Sequence, residues 1–173
     1  MNGHTNEDIH GLIQALKDAD RYVRLAAVES LREIGDKAAV PGLVTALQDE
    51  DWGVRWVAAG ALGEIAAPIA APALLELLHD PDSVLREIAS QSLGRMGKAA
   101  IAGLRENLQD RNRDVRLATV HALGFIADPD TVSDLVDALQ DNDWQVRWAA
   151  VKALEQVGTP DALAIVRKWK SLE

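Results

Sequence analysis

Apolar residues return every three or four positions in short runs, bounded by aspartate, asparagine, glycine and proline. Val54, Ala58, Ala61, Leu62 and Ile65 fall on one side of a helical wheel, which predicts a helix over 52–66. Asp51 stands just before it, where a carboxylate accepts from unpaired first-turn amides and meets the positive end of the helix dipole. A partner helix is expected over 40–48, opened by Pro41, whose ring suits a first turn. Nearer the start, Thr5 or Asn6 is the expected cap of a helix to about Lys17, with Ile9, Leu12, Ile13 and Leu16 on one face. Asp20 caps the next helix, whose inward face is Val23, Ala27, Leu31 and Ile34 and which Gly35 ends. The plan continues with Pro72 and Leu74 through Leu78, then Asp82 before Leu85, Ala89, Leu93 and Met96. It recurs from Ile101, with Asn112 before Val115, Thr119, Leu123 and Ile126. A fifth copy has Val132, Leu135 and Leu139, then Asp143 before Val146, Ala150, Leu154 and Val157. Thr159-Pro160 starts a last helix to about Lys170.

These pairs are copies of one unit. Arg24, Arg55, Arg86, Arg116 and Arg147 mark a step of 31 residues, shortened to 30 between Arg86 and Arg116. Repeats are expected at about 6–35, 36–66, 67–97, 98–127 and 128–158, with a capping helix over 159–173. One helix pair cannot bury both of its apolar faces, so the pairs must stack in file. The fold class that follows is all-α, a right-handed α-solenoid of five helix pairs plus the C-terminal helix. Ala26-Ala27, Ala58-Ala59 and Ala149-Ala150 permit close helix approach. Trp169 falls at the position held by Ala46 and Ala138, where a large ring is expected to cover the exposed end of the stack, the alternative being a contact with a partner.

Composition narrows the partners more than the fold. Hydrophobic residues make up 48% but aromatic residues only 4%, which suits closely spaced helices better than a β-sandwich core. The absence of cysteine excludes a disulfide frame and a thiolate zinc site. No apolar run approaches the ~20 residues that span a bilayer. The polar start, Met1 to Asp8, lacks a signal peptide's apolar core, so a cytoplasmic location is expected. A net charge of −9 argues against nucleic acid, whose binders carry a basic stripe.

The pattern Asp-x-Asp-x-x-Val-Arg-x-x-Ala-Ala-x-Ala-Leu-Gly-x-Ile has its best copies at 49–65 and 141–157. It resembles the short HEAT-like repeats of the phycobilisome-lyase type, from about Ile9 to Trp169. Tetratricopeptide and ankyrin repeats have similar periods, but their signature residues are missing. The resemblance implies an α-solenoid whose second helices line a concave surface. It also implies that the repeated arginines pair with the turn residues Asp18, Asp49, Asp80, Asp110 and Asp141, which suits a planar guanidinium. Functions in the family range from bilin lyases and deoxyhypusine hydroxylases to adaptor scaffolds and designed binders. The hydroxylase branch binds metal through His-Glu pairs. Here His4, His10, His79 and His121 are followed by Thr5, Gly11, Asp80 and Ala122, so neither that activity nor a metal site is expected. HEAT-like DNA glycosylases pair concave Trp with Asp. Asp51 and Asp143 lie beside Trp52 and Trp144, but both serve as caps and the charge has the wrong sign for DNA.

With Val54, Ala58, Leu62 and Ile65 inward, the opposite side of the same helix carries Trp52, Trp56, Gly60 and Gly63. Trp144, Trp148, Lys152 and Glu155 hold the same register in the fifth copy. Each Trp pair is spaced i,i+4, so its rings share a face. Glu87, Gln91, Leu117 and His121 lie between the pairs, giving a mixed groove in which the Trp rings are the expected hot spots. Gly60 and Gly63 are expected to leave room beside Trp56 for a ligand or a neighbouring helix. His121 alone is an ordinary surface residue. No Gly-x-Ser-x-Gly, phosphate loop or His-Glu-x-x-His motif occurs, so no catalytic residue and no cofactor is assigned. The function expected is a non-enzymatic scaffold that binds a protein or peptide through Trp52, Trp56, Glu87, Gln91, Leu117, His121, Trp144, Trp148 and Lys152. The alternative, by resemblance, is a bilin-lyase-like or chromophore-binding subunit, with Arg21, Arg113 or Lys152 facing the anionic propionates of a tetrapyrrole.

Overall fold

The computed structural model describes residues 6–171. Among these, eleven α-helices follow one another with no strand: α1 (Asn6–Ala15), α2 (Arg21–Ile34), α3 (Val40–Ala46), α4 (Trp52–Ile65), α5 (Ala71–Leu77), α6 (Ser83–Met96), α7 (Lys98–Asn107), α8 (Arg113–Ile126), α9 (Val132–Ala138), α10 (Trp144–Val157) and α11 (Pro160–Lys170). The fold is an α-solenoid of five helix pairs closed by a C-terminal helix. Thr5, the alternative first cap, lies outside the described residues. Asn6 is already helical, and α1 ends at Ala15 rather than Lys17.

The second helix of every pair starts from its expected cap. Asp20, Asp51, Asp82, Asn112 and Asp143 each have extended backbone and accept a hydrogen bond from the amide two residues on. The helices end at equivalent positions. Gly35, Gly97 and Gly158 have φ of 65°, 61° and 68°, and the same register holds Ala66 and Ala127 at 51° and 50°. A Cβ in the left-handed region is strained, so Ala66→Gly is expected to stabilise the chain by about 0.5–1 kcal/mol. A rise in the urea midpoint checks it.

Three short 3₁₀ turns, Lys37–Ala39, Pro68–Ala70 and Pro129–Thr131, lead into α3, α5 and α9 and were not anticipated. Asp36 and Asp128 cap two of them through the amides of Ala38 and Asp130. The fourth pair has no such turn. Gly97 alone separates α6 from α7, and this is where the 31-residue step loses one residue.

Consecutive second helices, from α2 to α10, pack on one another along their length, whereas consecutive first helices touch little or not at all. The second helices therefore form one closely packed layer, the layer that the resemblance places on the inner, concave side. Gly63, Gly94 and Gly124 allow this approach. A methyl on Gly63 would fall 2.6 Å from Cβ and 2.7 Å from Cα of Ser92, and one on Gly94 would overlap Cβ of Phe125. Gly60 and Gly63, on the Trp side of the wheel, are both buried, and of the two expected occupants of the room they leave it is the neighbouring helix α6 that fills it, through Ile88 and Ser92. Polar groups inside this layer find partners: Ser92 Oγ donates to Ala59 O and Ser90 Oγ to Ala118 O, each at 2.9 Å.

The core is formed by the expected Leu and Ala positions, including Leu31, Leu62, Leu93, Leu123 and Leu154. Val23 differs. Its counterparts Val54, Leu85, Val115 and Val146 are buried, but Val23 is 39% exposed. Trp169 of α11 packs half-buried against the core.

The arginine row is structural but not uniform. Each of the five donates from Nη1 to the backbone carbonyl of the Asp six residues earlier. Only Arg24 and Arg116 also form bidentate bonds to a carboxylate. That carboxylate belongs to the following pair, Asp49 at 2.7 and 2.9 Å and Asp141 at 2.7 and 2.8 Å. Asp110 is drawn to His79 instead, and Arg86 reaches Asp114. Arg55 has a buried Nε without a partner. Among the described residues no ion pair joins α3–α4 to α5–α6.

Candidate functional site

Helix α4 begins with an aromatic platform. Asp51 Oδ1 accepts from the amides of Gly53 and Val54, which fixes the first turn and with it Trp52. Asp51 Oδ2 also meets Arg21 Nη1 at 2.9 Å, tying α4 to α2. Trp56 follows one turn later. The Trp52 and Trp56 rings stack with centroids 6.2 Å apart and planes 16° from parallel.

Helix α10 repeats the arrangement with different surroundings. Asp143 caps it through the amide of Gln145 and pairs with Arg113 Nη1 at 3.0 Å. Lys152 Nζ lies 5.0 Å from the centre of the Trp148 ring and 3.0 Å from Glu155 Oε2. Glu155 also holds Lys170 of α11. Trp52, Trp56, Trp144 and Trp148 are 43%, 38%, 64% and 45% exposed.

Polar groups occupy the inner layer between the platforms. Gln91 Nε2 donates to Glu87 Oε1 at 2.8 Å, and His121 Nδ1 faces Glu87 Oε2 at 3.9 Å. Burial lowers the pKa of His121 while the Glu87 charge opposes the shift, and the net direction is downward. His121 is therefore neutral at neutral pH, and the contact with Glu87 is not an ion pair there. Glu87, His121 and Lys152 line one cavity of about 170 Å³ together with Phe125 and Gln156. Gln91 lines an adjacent depression, again with Phe125. Leu117 is half-buried against the core and borders neither. The four Trp rings also lie outside both cavities.

Phe125 was not among the expected site residues. It is 45% exposed and forms a wall of both depressions. The signal was present in the chain: Phe125 is its only Phe, and the equivalent residues Glu33, Glu64, Arg95 and Gln156 are all polar.

The cations proposed for an anionic ligand are already matched, Arg21 by Asp51, Arg113 by Asp143 and Lys152 by Glu155. Among the described residues no group of three or more His, Cys, Asp or Glu is placed to hold a metal ion. No described helix is long and apolar enough to cross a membrane.

Comparison with known proteins agrees with this architecture. None of the curated proteins compared matches the chain. The structure of the CpcE–CpcF complex of phycocyanin lyase from Nostoc sp. PCC7120 is similar with a TM-score of 0.63 and 28% identity, over 94% of this chain and 69% of that one. An archaeal HEAT-like repeats protein from Thermococcus onnurineus gives a TM-score of 0.61 at 16% identity, over 97% and 87%. A designed armadillo repeat protein in complex with the peptide (KR)4 gives 0.52 at 20% identity, over 95% and 89%. The last two show a shared fold alone. The family model for HEAT repeats matches residues 9–94 and 101–170, and the chain belongs to the HEAT-repeat family.

Proposed function

We propose that the chain is a scaffold without a catalytic step of its own, holding a protein or peptide against the inner layer formed by α2, α4, α6, α8 and α10. One observation carries the reading: four indole rings in two matched pairs stay 38–64% exposed on a layer that is otherwise closely packed. Exposed aromatic clusters are costly in water and are typical of binding hot spots. Glu87, Gln91, His121 and Lys152 supply polar contacts between the pairs, and Leu117 and Phe125 add apolar surface. A random peptide library selected on the wild-type chain tests the reading. Selected peptides are expected to bind the Trp56→Ala/Trp148→Ala double variant about thirtyfold or more weakly, the loss associated with a hot-spot Trp. Equal affinity for both proteins sinks the proposal.

The likeness to the phycocyanin lyase complex supports a second reading, in which the inner layer handles a bilin. The matched cations favour the scaffold, since Arg21, Arg113 and Lys152 are already held by Asp51, Asp143 and Glu155 rather than left for a bilin's propionates. A shift in bilin absorbance on adding the chain, abolished by Trp144→Ala/Trp148→Ala, would reverse that preference.

A further inference from the structure

Helices α4 and α10 carry the same Trp pair in one register and differ one turn later. There α10 has Lys152, with its ammonium 5.0 Å from the centre of the Trp148 ring. A helical side chain leans toward the N-terminus and covers the turn before its own Cα. Lys152 is therefore the residue placed to cover Trp148 with a cation. At the equivalent position α4 has Gly60, which has no side chain to lay over Trp56. Among the described residues the two cation–ring contacts are Lys152 with Trp148 and Arg21 with Tyr22, so none of these residues lays a cation on the Trp52–Trp56 stack.

The surrounding charge has the sign that suits one. Glu29 of α2 and Glu87 of α6 flank α4, are exposed, and form no ion pair with Lys or Arg among the described residues. The neighbouring cations Arg21 and Arg32 are already held by Asp51 and Glu64. The whole chain carries −9. A Trp face is the best aromatic acceptor for a cation.

We propose that the open Trp52–Trp56 stack receives an arginine or lysine side chain from a partner peptide, which supplies at α4 the cation that Lys152 supplies at α10. The inference rests on the reading of this layer as a peptide-binding surface, and narrows the partner to a basic segment.

The test uses the full chain and two defined probes: a peptide of four arginines spaced by serines, and the same peptide with neutral citrulline for arginine. The arginine peptide is expected to quench Trp emission and to bind about tenfold more tightly than the citrulline peptide, a factor within the range of a partly desolvated cation–π contact. Trp52→Ala/Trp56→Ala should remove about the same factor. So should Gly60→Lys, which gives α4 its own cation. A Cβ on Gly60 would lie 3.8 Å from Ile88 Cδ1, an ordinary contact, and the rest of the lysine chain must run out along the Trp56 ring from this buried position. A thermal melt no lower than wild type checks that the variant is folded. Ala102→Lys places the same charge on an exposed site of α7 and should change affinity less than twofold. Equal losses in Gly60→Lys and Ala102→Lys overturn the proposal, as does binding that ignores the Trp substitutions or no binding of the arginine peptide. Tight, Trp56-dependent binding of the citrulline peptide also overturns it, while leaving the binding face itself in place.

Discussion

Gly63→Ala is expected to lower the stability of the chain by about 2 kcal/mol, although alanine is the better helix former by about 1 kcal/mol. The added methyl would sit 2.6 Å from Cβ and 2.7 Å from Cα of Ser92. These atoms cannot swing away, because Ser92 is buried in α6 and its hydroxyl is bonded to Ala59 O of α4 at 2.9 Å. The two helices must part, and overpacking that moves backbone typically costs about 1–3 kcal/mol or more. Gly60→Ala is the control three residues away. Its methyl would meet Ile88 Cδ1 at 3.8 Å, so it should stabilise by up to about 1 kcal/mol. Urea unfolding followed by circular dichroism reads both. Opposite signs support a close crossing of α4 and α6, and two stabilised variants would show that the helices stand farther apart.

Arg116→Ala is expected to cost about 2 kcal/mol, less than the roughly 3–5 kcal/mol seen when one partner of a fully buried pair is removed. The discount reflects partial solvation, since the Arg116 and Asp141 side chains remain 15% and 11% exposed. The substitution removes two bonds to Asp141 and the donor to Asp110 O, and it leaves a poorly hydrated carboxylate behind. Arg55→Ala should cost less than half as much. Arg55 donates only to the carbonyls of Asp49 and Glu50, and its buried Nε has no partner to lose. The joint also predicts an acid response. The Arg116 hydrogen bonds lower the Asp141 pKa, outweighing burial, which raises it. A carboxyl with a depressed folded pKa stabilises fully above its unfolded value, about 3.9, and loses that contribution as pH falls through the folded value. Wild type should therefore lose stability more steeply than Arg116→Ala below about pH 4. Parallel acid profiles would remove the pair from the account.

The parts of this fold that depend on near neighbours in sequence were legible in advance. Asp20, Asp51, Asp82, Asn112 and Asp143 act on amides two residues away, so their spacing to the next apolar residue was enough to place five helices. The glycines at 63, 94 and 124 were harder. On one helical wheel they fall with Trp52 and look exposed, whereas their role is set by how closely the next helix passes. The arginine row shows the same limit. Its period was visible, but Asp49 and Asp141 bind from the following pair, while Asp110 is claimed by His79. Of the expected site residues, the Trp pairs were legible from i,i+4 spacing, and the meeting of Glu87, His121 and Lys152 followed from shared register. Phe125 was missed because the equivalent positions, Glu33, Glu64, Arg95 and Gln156, are all polar and mark that position as an ordinary solvent-facing one.

The central claim is that the paired Trp rings stand open to a partner. Acrylamide quenching of intrinsic Trp fluorescence measures this directly in the free protein. Four exposed rings and one half-buried Trp169 should give emission near that of indole in water, with most of the intensity quenched. Blue-shifted emission that resists the quencher would mean that the rings are packed away, and would contradict the binding face.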